Sequence, residues 1–216
     1  MNSFMTNIKN TSSALHTAAE STGFLKILMS GKATRELYAE YLLNMYEIYK
    51  AIEFNLEKHD KNRIVKDFTT KEVYRSEAIY KDLKFLLGDK LEKMDILPST
   101  KAYVERLNEL SQWAPELLVA HAYTRYLADL FGGRMIYQTL KETYHIEDEG
   151  LNYYMYEALN EAEGMKDFIM EYHEKLNLLE LEVKHNFDKK FINEVCNSYI
   201  YNIAISNELV FKNCHK

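Results

Sequence analysis

The stretch HAYTRYLADLFGGR, residues 121–134, combines a helical pattern of apolar side chains with two adjacent glycines, Gly132 and Gly133. Each glycine inside a helix costs roughly 1 kcal/mol relative to alanine, so such a pair indicates a kink or a close approach to the backbone. Asp129 stands three and four residues before the glycines, with Arg125 one turn earlier. A carboxylate on an apolar helical face needs partners. The stretch therefore predicts a helix that carries a functional site, with a helix–helix packing contact as the alternative.

Helical periodicity extends from this stretch toward both ends of the chain. Seven glycines and two prolines in 216 residues amount to about 4%, against a usual share of about 12%. This scarcity disfavours all-β folds, and no glycine-rich loop of a nucleotide-binding α/β fold occurs. The pattern predicts one all-α domain over residues 1–216, with six to eight helices. The predicted helices span residues 4–29, 35–58, 60–87 (broken near Thr69), 99–113, 115–144, 151–179 and 188–212.

Charge and cysteine content define the expected setting of the protein. Lys and Arg number 27 and Asp and Glu 33, so the net charge is −6, which disfavours sequence-independent nucleic-acid binding. The two cysteines, Cys196 and Cys214, form no C-x-x-C pair, a pattern typical of a reducing compartment. The chain begins without the features of a signal peptide and has no apolar run of membrane-spanning length. We therefore expect a soluble cytoplasmic protein without nucleic-acid or membrane partners.

A histidine and a carboxylate share one face of the first predicted helix. His16 is followed four residues later by Glu20, one helical turn away. A metal-bound histidine usually donates its second ring N–H to an acceptor, and a carboxylate at this spacing can accept it. The pair therefore allows a metal ligand with its orienting partner, although a surface His–Glu pair has the same spacing.

Other residue patterns support different chemistry less well. The pairs Glu142/His145 and Glu182/His185 have the Glu-x-x-His spacing of ferritin-like di-iron bundles. Both pairs lie beside polar helix ends, which disfavours a di-iron site in a bundle interior. No G-x-S-x-G nucleophile elbow is present, and Cys196 lies on an apolar face as a core residue would. Among the 17 tyrosines, Tyr49 and Tyr103 are candidates to supply hydroxyl groups to a buried polar site.

Three segments, taken together, resemble the haem oxygenase family. LHTAAE, residues 15–20, and YEIYKAIE, residues 46–53, resemble the family's proximal helix and the helix that follows it. AHAYTRYLADLFGG, residues 120–133, resembles its distal helix. The similarity continues to about Glu208 and so covers most of the chain. It implies a single multihelical domain that holds haem between a proximal helix and a kinked distal helix.

The resemblance also implies roles for individual residues. His16 would be the proximal ligand of the haem iron, and Glu20 would orient its ring. Gly132 and Gly133 would let the distal helix backbone pass close over the haem. Asp129 would anchor a water network that delivers a proton near the bound oxygen. The outer members of this network would be Arg125, Tyr49, Tyr103 and Asn202.

Recognition of the acidic edge of haem follows the family pattern only in part. Lys9 and Tyr123 match positions that bind this edge in the family. The basic pair that a later helix contributes is represented at most by His173, with Lys166 and Lys175 nearby. The distal stretch departs twice from the family, at Ala128, where many members have glycine, and at Phe131, where a small polar residue is common. The haem carbon that is attacked therefore stays open.

The activity that the resemblance implies is oxidative haem cleavage. Haem b would be both substrate and cofactor, and O₂ and electrons would convert it to biliverdin, CO and Fe²⁺. A ferredoxin, a flavodoxin or a reductase would supply the electrons, because no flavin or nicotinamide motif occurs in the sequence. A haem carrier or sensor on the same fold is the alternative, and the presence of Asp129 with Gly132 and Gly133 disfavours it.

Overall fold

The computed structural model describes residues 3–159, 161–182 and 186–214, and in these ranges the chain is helical without strands. The predicted all-α class is confirmed. Short 3-10 turns connect the longer helices, and eight α-helices are described in these ranges. They are α1 (Phe4–Ser21), α2 (Gly23–Met29), α3 (Arg35–Lys58), α4 (Ser76–Leu87), α5 (Pro98–Trp113), α6 (Leu118–Glu142), α7 (Glu161–Glu182) and α8 (Phe187–Asn213).

The first predicted helix is divided in the structure, so its prediction as one element over 4–29 was wrong. The chain breaks between α1 and α2 at Gly23, whose φ of +56° is unfavourable for residues with a side chain. A Cβ at this position would lie 2.5 Å from Oγ of Ser206 on α8. The same hydroxyl accepts a hydrogen bond of 2.8 Å from the N–H of Phe24. A contact with a distant helix therefore causes the break.

Two other predicted helices begin later than the periodicity indicates. Within predicted helix 60–87, α4 starts only at Ser76, because Glu53 of α3 accepts hydrogen bonds from the N–H groups of Arg75 and Ser76 at 2.6 and 3.0 Å. Within predicted helix 151–179, 3-10 turns extend to Leu159 before α7. Carboxylate and guanidinium groups of other segments hold the backbone of these turns, as described below.

Helix α8 is the centre of the packing and contacts α1, α2, α3, α5 and α6. Helix α1 also packs against α7. A cleft lies between α1 and α6. The core contains an unusual number of fully buried tyrosines, including Tyr49, Tyr103 and Tyr126. Buried phenol groups need hydrogen-bond partners, and several of these tyrosines find them behind the cleft. Within the described ranges, no helix has the length and apolar character required to cross a membrane.

Candidate functional site

The cleft between α1 and α6 has a volume of about 540 Å³, within the range of small-molecule sites, about 300–1,000 Å³. Lys9, His16 and Glu20 line it from α1, and Tyr123 and Gly132 line it from α6. A smaller inner cavity of about 80 Å³ lies next to it and shares His16 and Glu20. The two cavities lie on either side of the same residues, and the inner one is also lined by Arg125 and Asn202.

His16 stands on the α1 wall of both cavities. Its side chain is 45% exposed, and its Nε2 lies 3.5 Å from Oε1 of Glu20, which is longer than a strong hydrogen bond. The edge of its ring contacts Tyr199 of α8, with ring centroids 5.6 Å apart. The accessible imidazole is therefore positioned for a ligand that enters the cleft, with the carboxylate of Glu20 within reach.

Behind the α6 wall, Asp129 is the centre of a buried hydrogen-bond network. The hydroxyl of Tyr49 donates to Oδ2 of Asp129, and the hydroxyl of Tyr153 donates to Oδ1 at 3.0 Å. Arg125 extends the network, with Nη1 donating to Oδ1 of Asn202 at 3.0 Å and Nη2 lying 3.5 Å from Asp129. The structure thus brings together four predicted residues, Asp129, Arg125, Tyr49 and Asn202.

The electrostatics of this network favour a carboxyl group that can exchange a proton. Burial raises the pKa of Asp129 above its ordinary value, although Arg125 and the hydroxyl donors Tyr49 and Tyr153 oppose that rise. Burial also raises the pKa of Tyr49 and Tyr153 well above the ordinary phenol value. Both phenols therefore remain protonated donors at neutral pH.

The network reaches the inner cavity through Arg125 and Asn202, which line it together with His16. Asp129 itself lines a separate cavity of about 330 Å³ on another face of α6, together with Arg134 and Tyr154. Asp129 therefore lines neither the cleft nor the inner cavity. Arg125 lies between its carboxylate and the inner cavity.

The two glycines of α6 face different surroundings. Gly132 lines the cleft, and a Cβ built on it meets no described atom within 4 Å. A Cβ on Gly133 would lie 3.3 Å from Cδ1 of Tyr154. At about 100° per residue, both glycines lie within about 60° of Asp129 around the helix axis, but Gly132 lines the cleft, whereas Asp129 and Tyr154 line the cavity on another face of α6. The spacing of three and four residues predicts one common surface for Asp129 and both glycines, but in the structure Gly132 faces the cleft and the other two do not.

Tyr103 joins a second polar chain rather than the Asp129 network. Its hydroxyl lies 3.0 Å from Nδ1 of His121 and 2.8 Å from Oγ of Ser198. Nε2 of His121 in turn lies 3.1 Å from Oε2 of Glu194. The described link to Asp129 runs through the carbonyl of Ser198, which accepts a 2.8 Å hydrogen bond from Asn202.

Tyr153 is the residue of this site that sequence reasoning missed. It lies within the segment predicted as helix 151–179, where a tyrosine reads as ordinary core packing. Its buried ring is positioned by tertiary contacts, and a single sequence offers no pattern that reveals them.

One end of the cleft carries positive charge. Lys9, Tyr123 and His173 all line it, and the buried Nε2 of His173 has no hydrogen-bond partner among the described residues. Burial and the neighbouring charge of Lys9 lower the pKa of His173. Lys175 instead pairs with Glu171 at 2.7 Å, and Lys166 does not line the cleft. An acidic group at this end would give His173 and Lys9 a partner.

The structure does not support the di-iron alternative. The described residues contain no group of three or more His, Cys, Asp or Glu side chains arranged to hold a metal ion. His145 lies beyond the end of α6. The second pair involves His185, which lies outside the described residues.

Comparisons with known proteins point to one family. The family model described as "Heme oxygenase" matches residues 2–208. The chain is 32% identical to "Heme oxygenase 2" of Macaca fascicularis over 206 residues, which cover 94% of this chain and 64% of that relative, less than two thirds of its length. It is 31% identical to "Heme oxygenase" of Rhodella violacea over 198 residues, which cover 90% of this chain and 81% of the relative.

Solved structures show the same fold. Heme oxygenase-2 from Synechocystis sp. PCC 6803, in complex with heme and NO, superposes with a TM-score of 0.90 at 27% identity, covering 96% of this chain and 85% of that one. Heme oxygenase from Leptospira interrogans gives a TM-score of 0.88 at 29% identity, covering 96% of this chain and all of that one (100%). The resemblance found in the sequence is confirmed, and the chain belongs to the haem oxygenase family of haem-degrading enzymes.

Proposed function

We propose that the chain binds haem b in the cleft between α1 and α6 and opens its ring with O₂ and external electrons, giving biliverdin, CO and Fe²⁺. The observation that carries the proposal is the pairing of two unlike walls. Accessible His16 lies on one side, and side-chain-free Gly132 lies on the other, with a buried acid behind it. Bound haem supplies the iron that activates O₂ and the ring that is oxidised.

On the α1 wall, His16 binds the haem iron and Glu20 accepts the ring N–H that His16 does not use for ligation. A carboxylate in this position fixes the ring orientation and raises the basicity of the ligand. The 3.5 Å separation of the two side chains allows this contact to tighten when haem enters.

At the charged end, Lys9, Tyr123 and His173 bind the carboxylates of the acidic haem edge. The orphaned Nε2 of His173 supports this role, because a buried ring nitrogen without a partner is costly. Lys9 contributes a positive charge next to it. These contacts would set the rotation of haem in the cleft.

On the α6 wall, Gly132 allows the ring to lie close to the helix backbone, and Gly133, predicted for the same role, packs against Tyr154 behind it. Asp129 holds the proton, and Arg125 and Asn202, which line the inner cavity, connect its carboxylate to the water that would fill that cavity. Tyr49 keeps the carboxylate in place by donating to one of its oxygens. A positioned acid or base such as Asp129 typically accelerates a reaction by about 10²–10⁴-fold.

Electrons come from a separate protein, a ferredoxin, a flavodoxin or a reductase.

We also propose that residues 1–216 fold as one domain, which the shared core of helices around α8 supports. The need for an electron-donor protein and the free thiols of Cys196 and Cys214 favour a cytoplasmic location.

The test is a haem titration followed by reduction under air. Purified protein with haem is expected to give a Soret band, and electrons from a ferredoxin system should replace that band with bilin absorption. His16→Ala should weaken haem affinity by about tenfold or more and change the ligand spectrum. A stable Soret band without bilin would indicate a carrier or sensor instead, and unchanged haem binding in His16→Ala would contradict its role as ligand.

A further inference from the structure

The backbone around Tyr153 is held by two buried charged residues. Tyr153 lies in the 3-10 turn Asn152–Tyr154, between α6 and α7. The carboxylate of Asp82 on α4 accepts hydrogen bonds from the first two N–H groups of this turn, at 2.7 and 2.8 Å. Nη1 of Arg75 donates to the carbonyl of Met155 at 2.6 Å. The turn is therefore fixed to α4, and this fixes where the Tyr153 ring enters the core.

The ring of Tyr153 meets the Asp129 network edge-on. Its centroid lies 5.7 Å from that of Tyr49, with the planes at 70°. Its hydroxyl lies 3.0 Å from Oδ1 of Asp129 and 3.3 Å from Nη2 of Arg125. A guanidinium can only donate, so the oxygen of Tyr153 accepts from Arg125. The single proton of Tyr153 is within reach of the Tyr49 oxygen at 3.1 Å and of Oδ1 of Asp129 at 3.0 Å, and the carboxylate is the stronger acceptor.

Tyr153 supplies the second of the two short hydrogen bonds to the Asp129 carboxylate. Oδ2 of Asp129 receives the proton of Tyr49, whose oxygen accepts from Nε of Arg125 at 3.3 Å. Without Tyr153, the described partner of Oδ1 is Nη2 of Arg125 at 3.5 Å, a long contact. Each carboxylate oxygen therefore depends on one phenol for its short hydrogen bond.

We propose, on the basis of the function proposed above, that Tyr153 is a positioning residue that fixes the carboxylate plane of Asp129 toward Arg125 and the inner cavity. One donor leaves a carboxylate free to turn about its bond to the chain, whereas donors on both oxygens define its plane. A hydrogen bond to the charged form of a carboxyl also favours that form. Tyr153 therefore controls both the direction of the acid and the pH range in which it exchanges protons.

The experiment compares Tyr153→Phe with Tyr156→Phe as a matched control. Both variants remove one phenol oxygen from the same segment, and the hydroxyl of Tyr156 has no hydrogen-bond partner among the described residues. The first measurement is a ¹³C-carboxyl NMR titration of the haem-free protein, with the Asp129 signal assigned by its loss in Asp129→Asn. Tyr153→Phe should move the pKa of Asp129 upward, because a donor to its charged form is lost, and Tyr156→Phe should leave it unchanged.

The second measurement is bilin formation in single turnover, across pH. Tyr153→Phe should bind haem like the wild type and form bilin roughly fivefold to tenfold more slowly, the size expected for one hydrogen bond. Its rate profile should shift toward higher pH together with the Asp129 titration. An unchanged Asp129 titration, or an equal rate loss in Tyr156→Phe, would overturn the proposal.

A double variant separates positioning from a general loss of structure. In the Asp129→Asn background, Tyr153→Phe should cost nothing further if it acts through Asp129, whereas a structural effect would add in full. Failure of the proposed function is distinguishable from failure of this inference. Wild-type protein that binds haem without forming bilin would refute the former, and the haem-free titration would still decide the role of Tyr153.

Discussion

The two walls of the cleft hold their functional side chains in different ways. On α1, the side chains of His16 and Glu20 are 45% and 66% exposed and stand 3.5 Å apart. On α6, those of Arg125 and Asp129 are only 10% and 11% exposed and take part in hydrogen bonds with partners from other segments of the chain. The side chains of the α6 wall are therefore fixed by the fold, whereas those of the α1 wall are free to be arranged by a ligand, as the proposed function requires.

This difference matches the tasks proposed for the two walls. A ligand bond to iron is strong enough to orient an exposed side chain once haem is present. Proton delivery instead depends on donors and acceptors that are in place before charge develops, because reorganisation at that moment slows the reaction. Substitutions on the α6 wall should therefore change the chemistry more than the binding.

The largest effect is expected for Asp129→Asn. This change keeps the size of the side chain and removes its proton-exchanging group, so bilin formation should fall by about a hundredfold or more. Haem affinity should remain close to that of the wild type, in contrast to His16→Ala. The measurement is single-turnover bilin yield beside a haem titration of the same preparation.

An exposed acid provides the control for this substitution. Asp89→Asn removes the same charge from a surface turn and should leave bilin yield unchanged. Normal bilin yield in Asp129→Asn would contradict the proton role, and loss of haem binding there would contradict the division of tasks between the walls.

Helices whose ends follow from the local spacing of apolar residues could be predicted from the sequence. Helices α3, α5, α6 and α8 lie within three residues of their predicted ends because their apolar stripes follow the helical period. The break at Gly23 and the segment 152–159, which forms 3-10 turns instead of α-helix, could not be predicted. Their causes, Ser206 for the first and Asp82 and Arg75 for the second, lie far away in the sequence.

The site follows the same rule. The pairs His16/Glu20 and Arg125/Asp129 were accessible to sequence reasoning because a spacing of four residues places side chains on one helical face. Tyr49 was a candidate because its phenol can supply a hydroxyl to a buried polar site, and Asn202 entered through the family resemblance. Tyr153 reaches Asp129 only through the tertiary fold, so neither periodicity nor the resemblance pointed to it.

A second prediction tests how firmly the α6 wall is fixed. Glu194 of α8 accepts hydrogen bonds from His121 of α6 and Arg106 of α5. Burial raises the pKa of Glu194, but the hydrogen bonds from His121 and Arg106 outweigh it and lower that pKa to about 2. Glu194→Gln should therefore reduce the free energy of unfolding at pH 7 by about 1–3 kcal/mol, measured by urea denaturation.

The pH dependence of this difference follows from the lowered pKa. The charged carboxylate stabilises the fold above the pKa of an unfolded glutamate, about 4.3, and this contribution is lost as pH falls toward 2. Wild type and Glu194→Gln should therefore differ most near neutral pH and converge in acid. Glu109→Gln is the control, since Glu109 contacts Arg106 but is largely exposed. A difference that grows as pH falls would contradict this assignment.

The smallest effect is expected from adding one methyl group to the α6 wall. In Gly132→Ala the new methyl contacts no described atom, so the haem-free protein should gain up to about 1 kcal/mol from helix propensity and melt a few degrees higher. In Gly133→Ala the methyl lies 3.3 Å from Tyr154, so this gain should be smaller. If Gly132 faces the bound haem, the first variant should nevertheless bind haem more weakly than the second. Thermal melts and haem titrations of both variants measure the two effects, and tighter haem binding by Gly132→Ala would show that the haem plane does not pass over this residue.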